Sequence, residues 1–413
     1  MDLRKPTLFD RIEHLGRISE DPNSLTRRFA TPALGKAFAT LEVWMQAAGM
    51  HTRFDAIGNL IGRYEGLQPN ARALLMGSHL DTVPNAGKYD GPLGILLALA
   101  AVEGLHEQKK RLPFAIEVVA FCDEEGVRYQ STYLGSRALA GTFPTGDLER
   151  LDADGICMAE AIRSAGGKPE SIGTAALDPS RYIGYLEAHI EQGPVLETHK
   201  LAVGVVTGIA GQSRVRVTFT GQASHAGTTP MNLRKDALCA AAEFILEVEK
   251  TAKAKSHLVA TVGEIRVPDG ASNVVPGQVV LSLDLRHGDN ATRSENLERL
   301  SERAKTIAKE RRLNLAWEPV QESPAVKCSP AWIRLLSKAV TPHQHETLLL
   351  DSGAGHDAAA LSKVLPVAML FVHCHLGLSH HPEEYAAPQD ISVALNVLDD
   401  FLMIAATQPE FIS

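Results

Sequence analysis

Several features that would decide a class early are scarce in this chain. Cysteine is rare, five in 413 residues, and Cys122, Cys157, Cys239, Cys328 and Cys374 never fall at C-x-x-C spacing. That disfavours a disulfide frame and a thiolate zinc site, and makes a reducing cytoplasm the expected compartment. Long apolar runs are missing: the longest, residues 93–102, is about half the ~20 residues a membrane-spanning helix needs. A basic excess is missing too. Lys plus Arg number 41 against 49 Asp plus Glu, a net charge of −8, and no basic patch or aromatic stacking motif offers nucleic acid a surface. Residues 1–6 mix charges with no apolar stretch, so no secretory leader is expected. There is no internal repeat and no low-complexity stretch. What is present is ordinary globular composition, 45% hydrophobic and 22% charged, long enough for two or three domains. Histidine stands out: there are 16, several of them beside carboxylates.

Between residues 30 and 200 the chain alternates helical and strand patterns. Apolar spacing predicts helices over 39–49 and 93–105. Buried strands are predicted over 73–76 and 114–121, the second with Glu117 as its only charge. Such alternation builds a mostly parallel α/β sheet. From about 205 the texture becomes polar–apolar alternation, clearest over 214–220, as in a half-exposed antiparallel strand. A helix over 235–250, strands over 257–267 and 278–286, a helix over 293–311 and a strand over 314–317 follow. That β-α-β-β-α-β order suits a small open-faced sandwich with one sheet face bare. After Pro330 the α/β texture returns, with a helix, a strand near Thr347, a helix near His356, a strand over 366–372 and a helix over 391–404. The expected plan is an α/β domain over 1–208 and 323–413, interrupted by an α+β domain over 209–322.

The chemistry concentrates in four clusters at predicted strand ends. Gly77-Ser78-His79-Leu80-Asp81-Thr82, with Tyr89-Asp90-Gly91 beyond it, follows the first strand, where α/β sheets place their sites. His79 and Asp81 are two apart, so on extended backbone both point the same way and Asp81 can fix the imidazole tautomer. Asp123-Glu124-Glu125-Gly126 ends the next strand. Three adjacent acids repel unless a cation or an acid–base task uses them: one can ligate while its neighbour stays free as a base. Glu187-Ala188-His189-Ile190-Glu191-Gln192-Gly193 offers His189 from a strand-like alternation. Ser379-His380-His381-Pro382-Glu383-Glu384 offers one more donor, because two adjacent His cannot both face one metal. His343, His345, His373, His375 and His381 are read as solvated. Each cluster alone has a bland reading as a polar loop. Together they supply oxygen and nitrogen donors and no thiolate, with a carboxylate able to bridge, which is the inventory of a two-metal hydrolytic site.

These clusters, with Ser224-His225-Ala226-Gly227-Thr228-Thr229-Pro230-Met231, Asn273-Val274-Val275-Pro276-Gly277 and Ser352-Gly353-Ala354-Gly355-His356-Asp357, resemble the hydantoinase/carbamoylase branch of the zinc-peptidase-like amidohydrolases. The resemblance covers nearly the whole chain in order. It implies a zinc-peptidase-like α/β domain interrupted by a ferredoxin-like α+β lid and dimerisation domain. It further implies that His79, Asp90 and His189 ligate metal with Asp90 bridging, that Glu125 and His380 complete a second ion's shell, and that Glu124 is the general base with Asp81 partnering His79. Gln192, Gln212, Asn273, Arg286 and Gly355 would bind substrate. His225 would stabilise an oxyanion across a homodimer interface, and the domains would close on a hinge.

The expected cofactor is a pair of divalent ions, zinc first, with manganese, cobalt or nickel accepting the same donors. The expected reaction is hydrolysis of N-carbamoyl-L-amino acids, with allantoate or β-ureidopropionate as alternative ureido acids. A dipeptidase or carboxypeptidase is less favoured, since those relatives put a carboxylate where this chain has His189. A non-catalytic ureido-binding protein would have no use for Glu124. For Arg286 the alternative is a pair with Asp284 or Asp289, and for His225 a solvated loop tip. Gly353 and Gly355 allow close backbone approach or merely a turn.

Overall fold

The computed structural model describes residues 7–412; the leader reading of residues 1–6 falls outside the described residues. The chain divides into two compact units, Met1–Thr207 with Cys328–Ser413, and Gly208–Lys327. No helix among the described residues is long and apolar enough to cross a membrane.

The first unit is a mixed α/β fold on a twisted sheet. Four parallel strands form its centre in the order Ala115–Phe121, Ala73–His79, Tyr182–Ile190, Val367–Val372. Antiparallel strands flank them: Leu60–Tyr64 and then His51–Phe54 on one side, Val203–Ile209 on the other, with Leu349–Ser352 also paired to it. The first two parallel strands are buried at every residue, as strands covered on both faces must be. Helix Pro92–Glu107 packs directly on Ala73–His79 and Tyr182–Ile190, with helices Leu8–Gly16 and Pro388–Ala405 over it. Surrounded this way it needs no polar stripe, and eleven of its residues are buried. The helix predicted from 39 begins at Pro32, because Thr31 accepts the Leu34 N–H and Pro32 occupies the first turn.

The second unit is an antiparallel sheet with two helices on one face. Strand Gly211–Thr220 runs between Gln278–His287 and Asn314–Ser323, and Val259–Thr261 and Ile265–Arg266 pair with Gln278–His287. Val215, Val217 and Phe219 alternate inward and meet Leu281, Leu283 and Leu285 beneath helices Ala237–Lys253 and Asn290–Glu310. Arg214 and Arg216 alternate outward. The strand predicted over 257–267 is broken. Between the pairs Thr261–Asp284 and Ile265–Leu281 one side advances four residues and the other three, so one extra residue bulges at Gly263. The last strand runs on past 317 to Ser323, with its register shifting beside Pro319. Where the unit begins and ends, Val326 and Lys327 pair with Ile209 and Gly208.

Candidate metal centre

Parallel strands discharge their carboxyl ends along one edge of the sheet, and the donors collect there. His79 is the last residue of its strand, and its Nδ1 lies 3.0 Å from the main-chain oxygen of Asp81. A carbonyl can only accept, so the neutral ring carries its proton on Nδ1 and aims the Nε2 lone pair the other way. His189 repeats the arrangement, with Nδ1 2.9 Å from the Ile190 oxygen. Both Nε2 atoms face one oxygen of Asp90: Oδ1 is 3.6 Å from His79 and 3.2 Å from His189. The other oxygen, Oδ2, lies 3.2 Å from His380 Nε2, which in turn is 3.4 Å from Glu125 Oε1. Asp90 therefore shares one oxygen with each of two donor groups. In the triads His79–Asp90–His189 and Asp90–Glu125–His380, and also in His79–Glu124–Glu125, the candidate ligand atoms all lie within 4.8 Å of one another.

These residues fit divalent cations. The buried Nε2 of His189 makes no well-aligned hydrogen bond among the described residues, yet stands 3.2 Å from Asp90 Oδ1. With no ion there a proton holds that contact, which is why the His189 pKa is raised despite burial; a cation can take the proton's place and bond to both atoms. The local charges carry the same signature. Asp90 is held well below the ordinary carboxylate range: burial pushes it up, but His189, His380 and His79 outweigh burial. His79 stays well above its usual range against the pull of burial, through Asp81 and Asp90, and the hydrogen bond to Asp90 lifts His380 to about 9. Burial and neighbouring carboxylates drive Asp123 and Glu124 well up, and Glu125 up to about 7. A pocket that forces acids to keep protons is one that positive charge would relieve.

Asp81 lies against His79 and also has a second task. The main-chain oxygen of Asp81 fixes the imidazole, while its carboxylate stands 3.5 Å from Nδ1. The carboxylate also accepts the N–H groups of Glu124, at 3.0 Å to Oδ1, and Glu125, at 3.2 Å to Oδ2. It holds the acidic turn. Gln192 donates through Nε2 to Asp90 Oδ2 and Ser379 Oγ, both at 3.0 Å, leaving its buried Oε1 without a partner among the described residues. At Gly355 the space a side chain would fill is taken by the Tyr133 hydroxyl, so the close approach found there is from within the protein.

In the second unit the predicted residues form two groups. Gln212 and Arg286 pair across the sheet, and both hold Asp284: Arg286 Nε to Oδ1 and a second guanidinium nitrogen to Oδ2, each at 2.9 Å, and Gln212 Nε2 to Oδ2 at 2.7 Å. The pair with Asp284, weighed above as the alternative for Arg286, is therefore present. His225 pairs with Val274 in a two-stranded ribbon, which brings it beside Asn273, whose oxygen accepts the Ala226 N–H at 2.9 Å. His225 is exposed, and its Nδ1 accepts from Gly227 and Thr228 at 3.0 and 3.2 Å, which places its proton on Nε2.

Of the histidines set aside, His343, His373 and His375 lie against Asp400, Asp390 and Glu197, and His381 Nδ1 accepts the Glu383 N–H. Sequence reasoning passed over four residues beside the donors. Glu187 accepts from Ser78 Oγ and the Ala358 N–H; His356 packs edge-on against His189 with ring centroids 4.5 Å apart; Ser379 and Glu384 touch the Asp90 loop. Glu187, a charge within a buried strand, was the one legible signal among them.

The chain matches the family model "Peptidase family M20/M25/M40" over residues 75–404. It is 42% identical over 392 residues to an N-carbamoyl-L-amino acid amidohydrolase of Geobacillus stearothermophilus, covering 95% of this chain and 96% of that one. It is 40% identical over 436 residues to an allantoate deiminase of Arabidopsis thaliana, covering 97% and 83%. A solved amidase of the hydantoinase/carbamoylase family from Burkholderia multivorans matches it with a TM-score of 0.92 at 32% identity, over 97% of this chain and 98% of that one. The donor geometry and these likenesses lead to one statement: the chain belongs to peptidase family M20/M25/M40, within its hydantoinase/carbamoylase amidases, hydrolases of carbon–nitrogen bonds.

Proposed function

We propose that the protein hydrolyses N-carbamoyl-L-amino acids to the amino acid, carbon dioxide and ammonia. The observation that carries this reading is Asp90 sharing its two oxygens between two donor groups with Glu124 alongside. In the proposal His79, Asp90 and His189 hold one divalent ion, and Asp90, Glu125 and His380 a second, zinc first with manganese, cobalt and nickel as alternatives. Bound there, the pair would polarise the carbamoyl carbonyl and acidify water.

The chain's own residues supply the rest. Glu124, ionised once positive charge in the centre offsets the burial and carboxylates that raise its pKa, takes a proton from the attacking water and returns it to the amino-acid nitrogen as the C–N bond breaks. The carbamic acid released falls apart to carbon dioxide and ammonia. Gln192 Oε1, a buried acceptor in want of a donor, suits a ureido N–H. Arg286, Gln212 and Asn273 anchor the substrate carboxylate, with Asp284 yielding part of its hold on the guanidinium. His225, with its proton on Nε2, is a donor for the tetrahedral oxyanion, and in this reading it serves a second copy in a homodimer built through 209–322. Allantoate is the second reading, favoured by the near-equal identity to the allantoate deiminase.

The test is ammonia release by protein stripped with chelator and reloaded with metal. The panel holds N-carbamoyl-L- and D-amino acids, allantoate, β-ureidopropionate and a dipeptide control. Metal-dependent turnover of an N-carbamoyl-L-amino acid supports the proposal. Preference for allantoate moves it to the second reading, and dipeptide cleavage alone overturns both. A fully active monomer in sedimentation at assay concentration would remove the dimer and the role of His225.

A further inference from the structure

Glu384 takes no part in the chemistry just proposed, yet it is 4% exposed and touches the centre from behind. It closes the turn that carries His380, its N–H donating to the His381 oxygen at 3.0 Å. Its Oε1 accepts two main-chain N–H groups, from Tyr89 at 2.8 Å and Asp90 at 3.0 Å, 295 and 294 positions away in the chain. Its Oε2 lies 3.2 Å from Ser379 Oγ, which stands 2.9 Å from Asp90 Oδ2. The same hydroxyl receives Gln192 Nε2. Alongside, the rings of Tyr89 and Tyr385 meet edge to face with centroids 6.0 Å apart.

The Asp90 loop is also shaped to admit this side chain. A Cβ on Gly87 would run into Cβ, Cδ and Oε1 of Glu384, although the Gly87 backbone lies outside the left-handed region that only glycine favours. Gly87 is therefore needed for the room it leaves, and what fills that room is Glu384. One carboxylate thus fixes the main chain of Asp90 and, through Ser379, the rotation of the Asp90 carboxylate. It does so from the loop that also presents His380.

We propose that Glu384 is a positioning residue that clamps the Asp90 loop to the His380 loop, and so sets the spacing and affinity of both cation positions around Asp90. This rests on the metal-centre reading above. Fixing a ligand from behind is typically worth about 10- to 100-fold in metal affinity. Two adjacent N–H groups converge on one oxygen, so Gln can replace Glu here: its carbonyl oxygen takes both, and its NH2 reaches Ser379. Ala cannot.

The experiment titrates full-length apoprotein with cobalt(II) alone, in competition with a chromophoric chelator, and records the visible absorption of the loaded protein. Thermal unfolding serves as the folding control. Glu384→Ala and Gly87→Ala are expected to weaken cobalt binding about 10- to 100-fold and to alter the absorption, which reports ligand geometry. Glu384→Gln is expected to stay close to wild type in both. A folded Glu384→Ala protein with wild-type affinity and spectrum would overturn the proposal. Should that variant fail to fold, unchanged binding in Gly87→Ala would overturn it equally. A Glu384→Gln protein as impaired as Glu384→Ala would also overturn the hydrogen-bonding basis of the clamp. No substrate enters the measurement, so a wild type that binds cobalt but turns over no ureido acid would fail the proposed function and leave the clamp standing. A wild type that binds no cobalt would overturn both.

Discussion

Replacing Asp81 by Asn separates two tasks that its place next to His79 would merge. If the carboxylate served the imidazole, Asn would disturb His79 and with it cation binding. The main-chain oxygen of Asp81 lies closer to the imidazole, at 3.0 Å from Nδ1 against 3.5 Å for the carboxylate, and the substitution leaves that oxygen in place. The carboxylate also receives the N–H groups of Glu124 and Glu125. Hydrogen bonds to a charged acceptor contribute about 1.5–3 kcal/mol each. Asn keeps one acceptor oxygen and turns an NH2 toward the other N–H, so roughly 2 kcal/mol of restraint on the acidic turn is lost. If that loss falls on the transition state through a misplaced Glu124, kcat drops about 30-fold, at about 1.4 kcal/mol per factor of ten. The assay is steady-state turnover of the best ureido substrate at saturating metal, with metal content measured on the same samples. The expected result is a kcat about 30-fold lower with full metal occupancy. Unchanged turnover, or a defect that excess metal abolishes, would refute the reasoning and return the Asp81 carboxylate to His79.

Glu124→Gln is expected to lower kcat by roughly 10²–10⁴, the range for loss of a general base, with metal content unchanged. Lost metal in that variant would instead make Glu124 a ligand, which its proximity to His79 and Glu125 permits. Removing metal with a chelator should abolish turnover and lower the unfolding temperature, and both should recover on reloading; calorimetry of stripped and reloaded protein checks this. At Asp284 burial raises the pKa, but Arg286, Gln212 and Arg214 outweigh it and the group sits below its ordinary value. A folded pKa below the unfolded one means stability present above about pH 4 and lost as pH falls through the folded value. Wild type should therefore exceed Asp284→Asn in denaturant stability at pH 6 and lose that advantage near pH 3; an advantage that grows on acidification would contradict the assignment. Phe244 is fully buried against Phe219 and Trp317, so Phe244→Ala should cost about 3–5 kcal/mol in urea unfolding.

What could be read in advance follows from where each feature's cause lies in the chain. The clusters around His79, Asp123–Glu125 and His189 were visible because a buried strand and the polar segment after it are neighbours in sequence, and the sheet delivers strand ends together. The same locality explains one incomplete reading and one error. Alternation placed the Asp81 carboxylate beside His79, where it stands 3.5 Å from Nδ1, but its hold on the Glu124 and Glu125 N–H groups comes from a neighbouring strand end and has no local sign. Alternation also carried a strand through 257–267, where an extra residue at Gly263 had to bulge out of a ladder whose partner could not be known from local pattern. Arg286 lies between the two cases: Asp284, two residues away on the same face, could be named as a rival, but the other holders of Asp284, Gln212 and Arg214, come from register with another strand. Glu384 fell inside one of the clusters, but its role behind Asp90 was out of reach. Its contact with Asp90 requires strand Val367–Val372 to lie beside Tyr182–Ile190, and Tyr182–Ile190 beside Ala73–His79, so that a loop near the end of the chain meets one near its beginning. No window of sequence contains that order. Gly87 is the trace it leaves: a glycine whose backbone any residue could adopt, made necessary by a carboxylate almost three hundred positions away.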